Sequence, residues 1–214
     1  MEEENVDIFD ENYCYLGTST RSQARKNGNW VRSIHVWIIS SRDNGFVLFQ
    51  KRGQHKKIYP NALDISAAGH YKAGEKIEDG VREIAEELGL FVGFDDLIPL
   101  GIKIDIGKIG ENIIREFCHT FILKSDLEPK EYTFVDGEVE GLVKISIDDG
   151  LALFGNMVNE VIADGIELVS ESKEYISIKI PVTRNLFIPR IDSYYYKVFI
   201  MAKLFLQGEK CLTI

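Results

Sequence analysis

The sequence predicts an α/β fold in which a mixed β-sheet is sandwiched between helices, with an N-terminal extension and an extra C-terminal helix. Three observations predict it. Short apolar or alternating runs, bounded by Gly, Asp and Asn, recur along the chain and read as strands. Ile77, Val81, Ile84, Ala85 and Leu88 recur at helical spacing and stop at Gly89, which reads as an amphipathic helix with its C-terminal signal. Near the end of the chain, Tyr194, Val198, Ala202 and Phe205 repeat that spacing. With 214 residues the chain can bury one sizeable core and is short for two. The expected organisation is a single domain: an N-terminal extension over 1–30, a core over 31–155 and a C-terminal extension over 156–214.

Each element follows from local pattern. Residues 34–40 and 46–51 read as buried strands joined by the turn Asp43-Asn44-Gly45. Residues 63–68 read as a strand that leads into a Gly-bounded loop. Residues 97–106 and 112–123 make a hairpin around Gly107-Lys108-Ile109-Gly110. A strand is expected over 141–147, a helix from 148 to 154, an extra alternating strand over 174–180 and a final helix over 192–206. No repeat, low-complexity tract or Pro/Ser-rich linker is present.

Composition excludes several classes. A net charge of -9 argues against a nucleic-acid polymer as partner, because phosphate-backbone binding needs a basic surface. A small nucleotide needs only a local basic pocket. Cys14, Cys118 and Cys211 are odd in number and scattered, so they read as reduced thiols and imply a cytoplasmic protein. The N-terminus is acidic and lacks an apolar signal core. No apolar run is long enough to span a membrane; the strongest, over 198–206, is interrupted by Lys203.

The chemistry concentrates between Arg82 and Leu90. Glu83, Glu86 and Glu87 are spaced i, i+3 and i+4, so they share one helix face, and Asp79 extends the stripe by a turn. Crowded carboxylates repel unless a cation sits among them. Hard divalent ions with oxygen ligands, Mg²⁺ or Mn²⁺, meet that demand. A solvated acidic face is the plainer alternative. Upstream, Gly69 is followed by five residues and then Glu75.

Together these residues resemble the Nudix box, Gly-x5-Glu-x7-Arg-Glu-U-x-Glu-Glu-x-Gly-U with U aliphatic. The match from Arg82 to Leu90 is complete, but six residues, not seven, separate Glu75 from Arg82. The shortening falls at the loop-helix junction and bears on how Gly69 and Glu75 sit against the helix. The resemblance implies a Nudix fold and a metal-dependent hydrolase that cleaves a diphosphate linkage in a nucleoside-diphosphate-X substrate. It implies Glu83, Glu86 and Glu87 as metal ligands, with the Gly69 carbonyl as a possible addition. Glu75 and Arg82 then brace the loop, with Arg82 directed away from the acidic stripe.

A narrower resemblance covers most of the chain. Arg32–Ile38, Leu48–Arg52, Tyr59-Pro60 and Asp64–His70 look like the Nudix subgroup related to isopentenyl-diphosphate isomerase. Those isomerases use a cysteine before the Gly-His and a metal held by three histidines and two glutamates. Here the cysteine position is Ala68. The N-terminal histidine positions are Arg25 and Val31, and of the glutamate pair only Glu116 remains, beside Ile114. The intact acidic helix favours hydrolysis over isomerisation, and over a sensor module that binds nucleotide without turning it over.

Outside the box, Glu116 lies on a mostly apolar strand face, where a carboxylate must be paired or metal-bound. Glu138 is expected to supply an extra ligand or general base, with Glu140 behind it. Lys51, Arg52, Lys56 and Lys57 are basic groups near the phosphates, with Arg52 and Lys51 the proposed substrate contacts. His70 sits at the site mouth, whereas His35 reads as a core histidine. Trp30, Trp37 and Tyr59 are the aromatics available to stack on a base. The apolar circumference of the last helix predicts a homodimer through that helix or the strand over 174–180. The competing expectation has the segment around Tyr13, Tyr15 and Leu16 cover that helix.

Overall fold

The run over 34–40 is mostly apolar on both faces, and this places it in the interior of the sheet. In a computed structural model, which describes residues 3–56, 58–134, 137–169, 172 and 174–214, the elements follow in this order. They are β1 (Asn5–Phe9), β2 (Tyr15–Thr20), α1 (Arg21–Asn27), β3 (Val31–Ser40), β4 (Phe46–Arg52), β5 (Leu63–Asp64), β6 (Ala67–His70), α2 (Arg82–Leu88), β7 (Leu97–Ile109), β8 (Asn112–Lys124), β9 (Val139–Ser146), α3 (Ile147–Phe154), β10 (Glu160–Val169), β11 (Glu174–Thr183) and α4 (Tyr194–Leu206). The main sheet runs β11-β10-β9-β4-β3-β8-β7, with β5 beside β4 and β6 beside β3. It is mixed: β3 and β8 are parallel, and the other pairs are antiparallel.

The alternation of β3 explains the layers. Ile34, Val36 and Ile38 join Ile84 and Leu88 of α2 on one face. Trp37 and Ile39 join Tyr194, Val198, Phe199 and Ala202 of α4, with Leu153 of α3, on the other. Helices therefore lie on both faces, as the pattern predicts. Each fully buried aliphatic side chain of α2 contributes about 1.5–3 kcal/mol of transfer free energy, and that seating holds the acidic face of the helix outward.

Several expectations are revised. The strand over 63–68 is interrupted, because β3 and β4 pair only through Ile39↔Val47 and Ser40↔Phe46 and then diverge. Ser66 fills the gap: its Oγ accepts from Ile38 N at 2.8 Å and donates to Leu48 O. The β7-β8 hairpin continues to Ile109↔Asn112, so its turn is shorter than the Gly107–Gly110 segment. β1, β2, α1 and β10 lie outside the expected elements. α4 buries Tyr194, Tyr195, Val198, Phe199 and Ala202 within its own chain, and this accounts for the pattern behind the expected homodimer. The segment near Tyr13 does not cover that helix. Tyr13 packs instead with Phe9, Trp30 and Phe117, and Tyr15 and Leu16 are exposed. No helix among the described residues is long and apolar enough to cross a membrane.

Candidate functional site

The box is assembled around one missing atom. A Cβ on Gly69 would lie 1.9 Å from the Glu83 carboxyl carbon, so only glycine lets β6 pass beneath that carboxylate. Arg82 then ties loop to helix. Its Nε donates to Glu75 Oε1 at 2.7 Å, and its Nη2 donates to Glu75 Oε2 at 3.1 Å and to the His70 carbonyl at 2.8 Å. This is the expected brace, with the bidentate geometry that favours arginine. Arg82 also departs from expectation: its Nη1 reaches into the acidic stripe, to Glu83 at 2.6 Å and Glu86 at 3.2 Å.

The shortened spacing is absorbed by helix type. Residues Ile77–Val81 form a 3-10 turn that runs into α2. Five 3-10 residues at about 120° each sweep about 600°, as do six α-helical residues at about 100°. Their rises also agree, at about 10 Å and about 9 Å. By this geometry a 3-10 turn one residue shorter than an α-helical segment spans nearly the same angle and height, so the shortening is compatible with the seating of Arg82 and Glu83. Asp79 is drawn out of the stripe by this turn, where its Oδ2 accepts from Lys76 N at 2.8 Å.

The carboxylates line a cavity of about 420 Å³ together with Arg52, His70, Glu116, Glu138 and Arg190. Glu87 turns inward, accepting from Ala68 N at 2.9 Å and Gln50 Nε2 at 3.3 Å. Burial, with Glu83 and Asp64 adding to it and the Ala68 N–H opposing, pushes its carboxyl up to about 8. Burial also raises Glu83, against the opposing charge of Arg82. The side chain of Glu86 is half exposed. Among the described residues no three His, Cys, Asp or Glu side chains form a closed cation cage. The donor set nevertheless fits Mg²⁺ or Mn²⁺: Glu83, Glu86 and Glu87 offer hard oxygens on one wall, with the Gly69 backbone beside Glu83. Magnesium in particular uses one or two carboxylates and completes its shell with water and substrate phosphate.

The groups outside the box divide. Glu116 is paired, as its apolar strand face demands. His70 Nε2 donates to its Oε1 at 2.9 Å, and Arg25 Nη2 stands at 3.8 Å. Burial alone would raise Glu116, but these partners outweigh it and hold the carboxyl well below the usual range. Arg52 lines the cavity while its guanidinium spans Asp64 Oδ2 at 3.2 Å and the carbonyls of Ile58 and Tyr59, each at 3.2 Å. Lys51 is a correction. As the neighbouring strand residue it points to the opposite face, pairs with Glu167 at 2.5 Å and is absent from the cavity wall. Glu138 is at the rim, paired with Lys56. Glu140 is buried and accepts from Gln54 N at 2.8 Å, a loop-holding contact. Lys57 lies outside the described residues. His35 is a core histidine bonded to Tyr194 Oη at 2.9 Å, though its edge reaches the cavity. Trp30 and Trp37 are buried in the core, leaving Tyr59 as the aromatic wall residue.

Sequence reasoning misses Asp64, Asp105 and Arg190. Arg190 Nη2 contacts Asp64 at 3.1 Å and its Nη1 contacts Asp105. Arg190 follows β11 in an irregular segment with no periodic signal. Lys103, whose Nζ stands 3.1 Å from Asp105, extends the same network.

Comparison with known proteins shows the family. An uncharacterised Nudix hydrolase of Clostridium acetobutylicum is 41% identical over 196 residues, covering 91% of this chain and 95% of that relative. The chain belongs to the Nudix hydrolases. A Nudix hydrolase of Deinococcus radiodurans is 25% identical over 130 residues, covering 60% of this chain and 72% of its own. Among solved structures, the crystal structure of a Deinococcus radiodurans protein aligns with a TM-score of 0.54 at 26% identity, covering 72% of this chain and 90% of that one. No family model matches the chain. Membership of the Nudix hydrolases makes this chain a hydrolase of that family, with a mixed sheet between helices to carry its acidic helix.

Proposed function

We propose that this Nudix chain is a divalent-metal-dependent pyrophosphohydrolase that cleaves the diphosphate linkage of a nucleoside-diphosphate-X substrate. The observation that carries the reading is the seating of Glu83 over Gly69, with Arg82 gripping Glu75 and His70 across the loop. Arg82 is one cation shared among Glu75, Glu83 and Glu86, so the face keeps an excess of negative charge that a divalent ion would offset. Mg²⁺ or Mn²⁺, held by Glu83, Glu86 and Glu87, would supply charge neutralisation at the phosphate oxygens and acidify the attacking water.

The chain's own groups do the rest. Arg52 and His70, which line the same cavity, orient the diphosphate. Glu138, exposed at the rim, accepts the proton of the attacking water. Glu116 is held ionised too firmly to be an efficient base, so we assign it to positioning His70 and the inner wall. Tyr59 is the wall aromatic on which a base can stack. Ala68 occupies the position where an isomerase would carry its cysteine. It bonds Glu87 through its backbone N–H and offers no thiol to a substrate.

A phosphate-release screen tests the proposal across nucleoside di- and triphosphates, nucleotide sugars, dinucleotide polyphosphates and isopentenyl diphosphate, with and without Mg²⁺ or Mn²⁺. Added pyrophosphatase converts pyrophosphate cleaved from the triphosphates, and added alkaline phosphatase the monoesters cleaved from the capped diphosphates, into phosphate. Metal-dependent release from a diphosphate-linked nucleotide is expected. Release from none of them would reject the reading. NMR detection of the dimethylallyl isomer from isopentenyl diphosphate would replace it with isomerisation.

A further inference from the structure

α1 lies outside the box, yet it brings two guanidiniums to the cavity. Thr20 caps its start, accepting from Gln23 N at 3.3 Å, and Gly28 ends it in the left-handed region at φ 68°. Ala24 is fully buried against Val6 and Val31, which fixes the rotation of the helix. Arg21 and Arg25, four residues apart, therefore share a face and both line the cavity.

These two arginines differ from the others around the site. Arg32, Arg52, Arg82 and Arg190 each donate a hydrogen bond to a carboxylate. Arg21 and Arg25 donate none to a described residue. Their nearest carboxylates, Glu4 and Glu116, stand off at 3.8 Å. The Nε of each is buried without a partner, as are those of Arg32 and Arg190, but those two bond carboxylates through their Nη groups. Glu116 is already engaged by His70. A guanidinium presents five donors in a fixed fork, and like charges at i, i+4 repel. Burial, then Arg21, and further Arg52, press on the charge of Arg25, with Glu116 opposing. The pair keeps guanidinium donors that no carboxylate among the described residues takes up at hydrogen-bond distance, and an anion can use them.

We infer that Arg21 and Arg25 form a phosphoryl subsite, which takes a phosphate group of the substrate in the cavity that the carboxylate helix also lines. Its role in turnover rests on the diphosphate reading above; the binding of the anion does not. The N-terminal extension thereby becomes part of the substrate site. The contacts run continuously from Arg25 to Glu116, His70, Arg82 and Glu83, so this subsite abuts the hydrolytic wall.

Calorimetric titration of the full chain with inorganic pyrophosphate in EDTA tests the subsite without metal or turnover. Wild type is compared with Arg21→Gln/Arg25→Gln, with each single variant, and with Lys179→Gln as a distant charge control. Lys179 is largely exposed and paired with Asp164. The expected result is at least tenfold weaker binding in the double variant, partial loss in the single variants, recovery in Arg25→Lys and no change in Lys179→Gln. Single variants keep the test open if the double variant does not fold. Equal affinity in wild type and the arginine variants overturns the subsite, as does an absence of metal-free binding by wild type. Should the phosphate-release screen fail while this pattern holds, the hydrolase reading falls and the subsite stands.

Discussion

Glu87→Gln is expected to stabilise the metal-free protein at pH 8 while removing its hydrolase activity. Glu87 sits behind Ala68 with Gln50 at its side, and burial pushes its carboxyl from an ordinary 4.5 up to about 8. A carboxyl whose pKa rises on folding binds its proton more tightly in the folded chain than in the unfolded one. Its contribution is therefore fully present below about pH 4.5 and is lost as pH climbs toward 8. At about 1.4 kcal/mol per pH unit, the interval from 4.5 to about 8 bounds the loss at about 5 kcal/mol. Relaxation and water reduce it to a few kcal/mol. Glutamine removes the titration yet keeps an oxygen for the Ala68 N–H. For a chain of this size about 1 kcal/mol moves Tm by roughly 2–4 °C, so the variant should melt about 5–10 °C higher at pH 8 and level with wild type near pH 4.5. Thermal melts in EDTA at pH 4.5, 6.5 and 8 measure this. Added Mn²⁺ should then raise wild type and leave the variant behind. A constant difference at every pH would refute the burial argument. Equal Mn²⁺ affinity would refute the assignment of Glu87 as a ligand.

Gly69→Ala places a methyl group 1.9 Å from the Glu83 carboxyl carbon; overpacking of this kind costs about 1–3 kcal/mol, and activity should fall at least a hundredfold, read by melting and phosphate release together. Arg82→Lys loses the fork that holds both Glu75 oxygens. Charged hydrogen bonds of this kind contribute about 1.5–3 kcal/mol, so Tm should drop by several degrees and kcat by tenfold or more. Unchanged kinetics would remove Arg82 from the loop brace. Lys51→Ala should leave kcat/KM within about twofold of wild type, because its partly exposed pair with Glu167 is worth roughly 0–1 kcal/mol. Arg52→Ala should raise KM at least tenfold. The reverse ranking in steady-state kinetics would overturn the placement of the two side chains.

The acidic helix is legible in the sequence because its information is local. Carboxylates at i, i+3 and i+4 must share a face whatever the helix packs against, and the apolar residues opposite them must find a core. The nearly continuous apolar run over 34–40 likewise announces a buried strand. Even the pairing demand on Glu116 follows from its neighbours on the strand. Long-range register sets the remainder. Lys51 and Arg52 are adjacent in sequence and equally basic, yet strand period two sends one to Glu167 and the other to the cavity, and the strand pattern alone does not say which face meets the site. Ser66 breaks a strand only because β3 and β4 diverge there. The missing residue before Arg82 looks like a defect in the motif, and only the 3-10 turn restores angle and rise together. α1 and Arg190 carry no periodic signal, and Asp64, though inside the expected strand over 63–68, carries none that points to the site. Their place at the site comes from burial of Ala24 and from contacts between segments far apart in the chain, and such contacts exist only once the sheet has closed its own order.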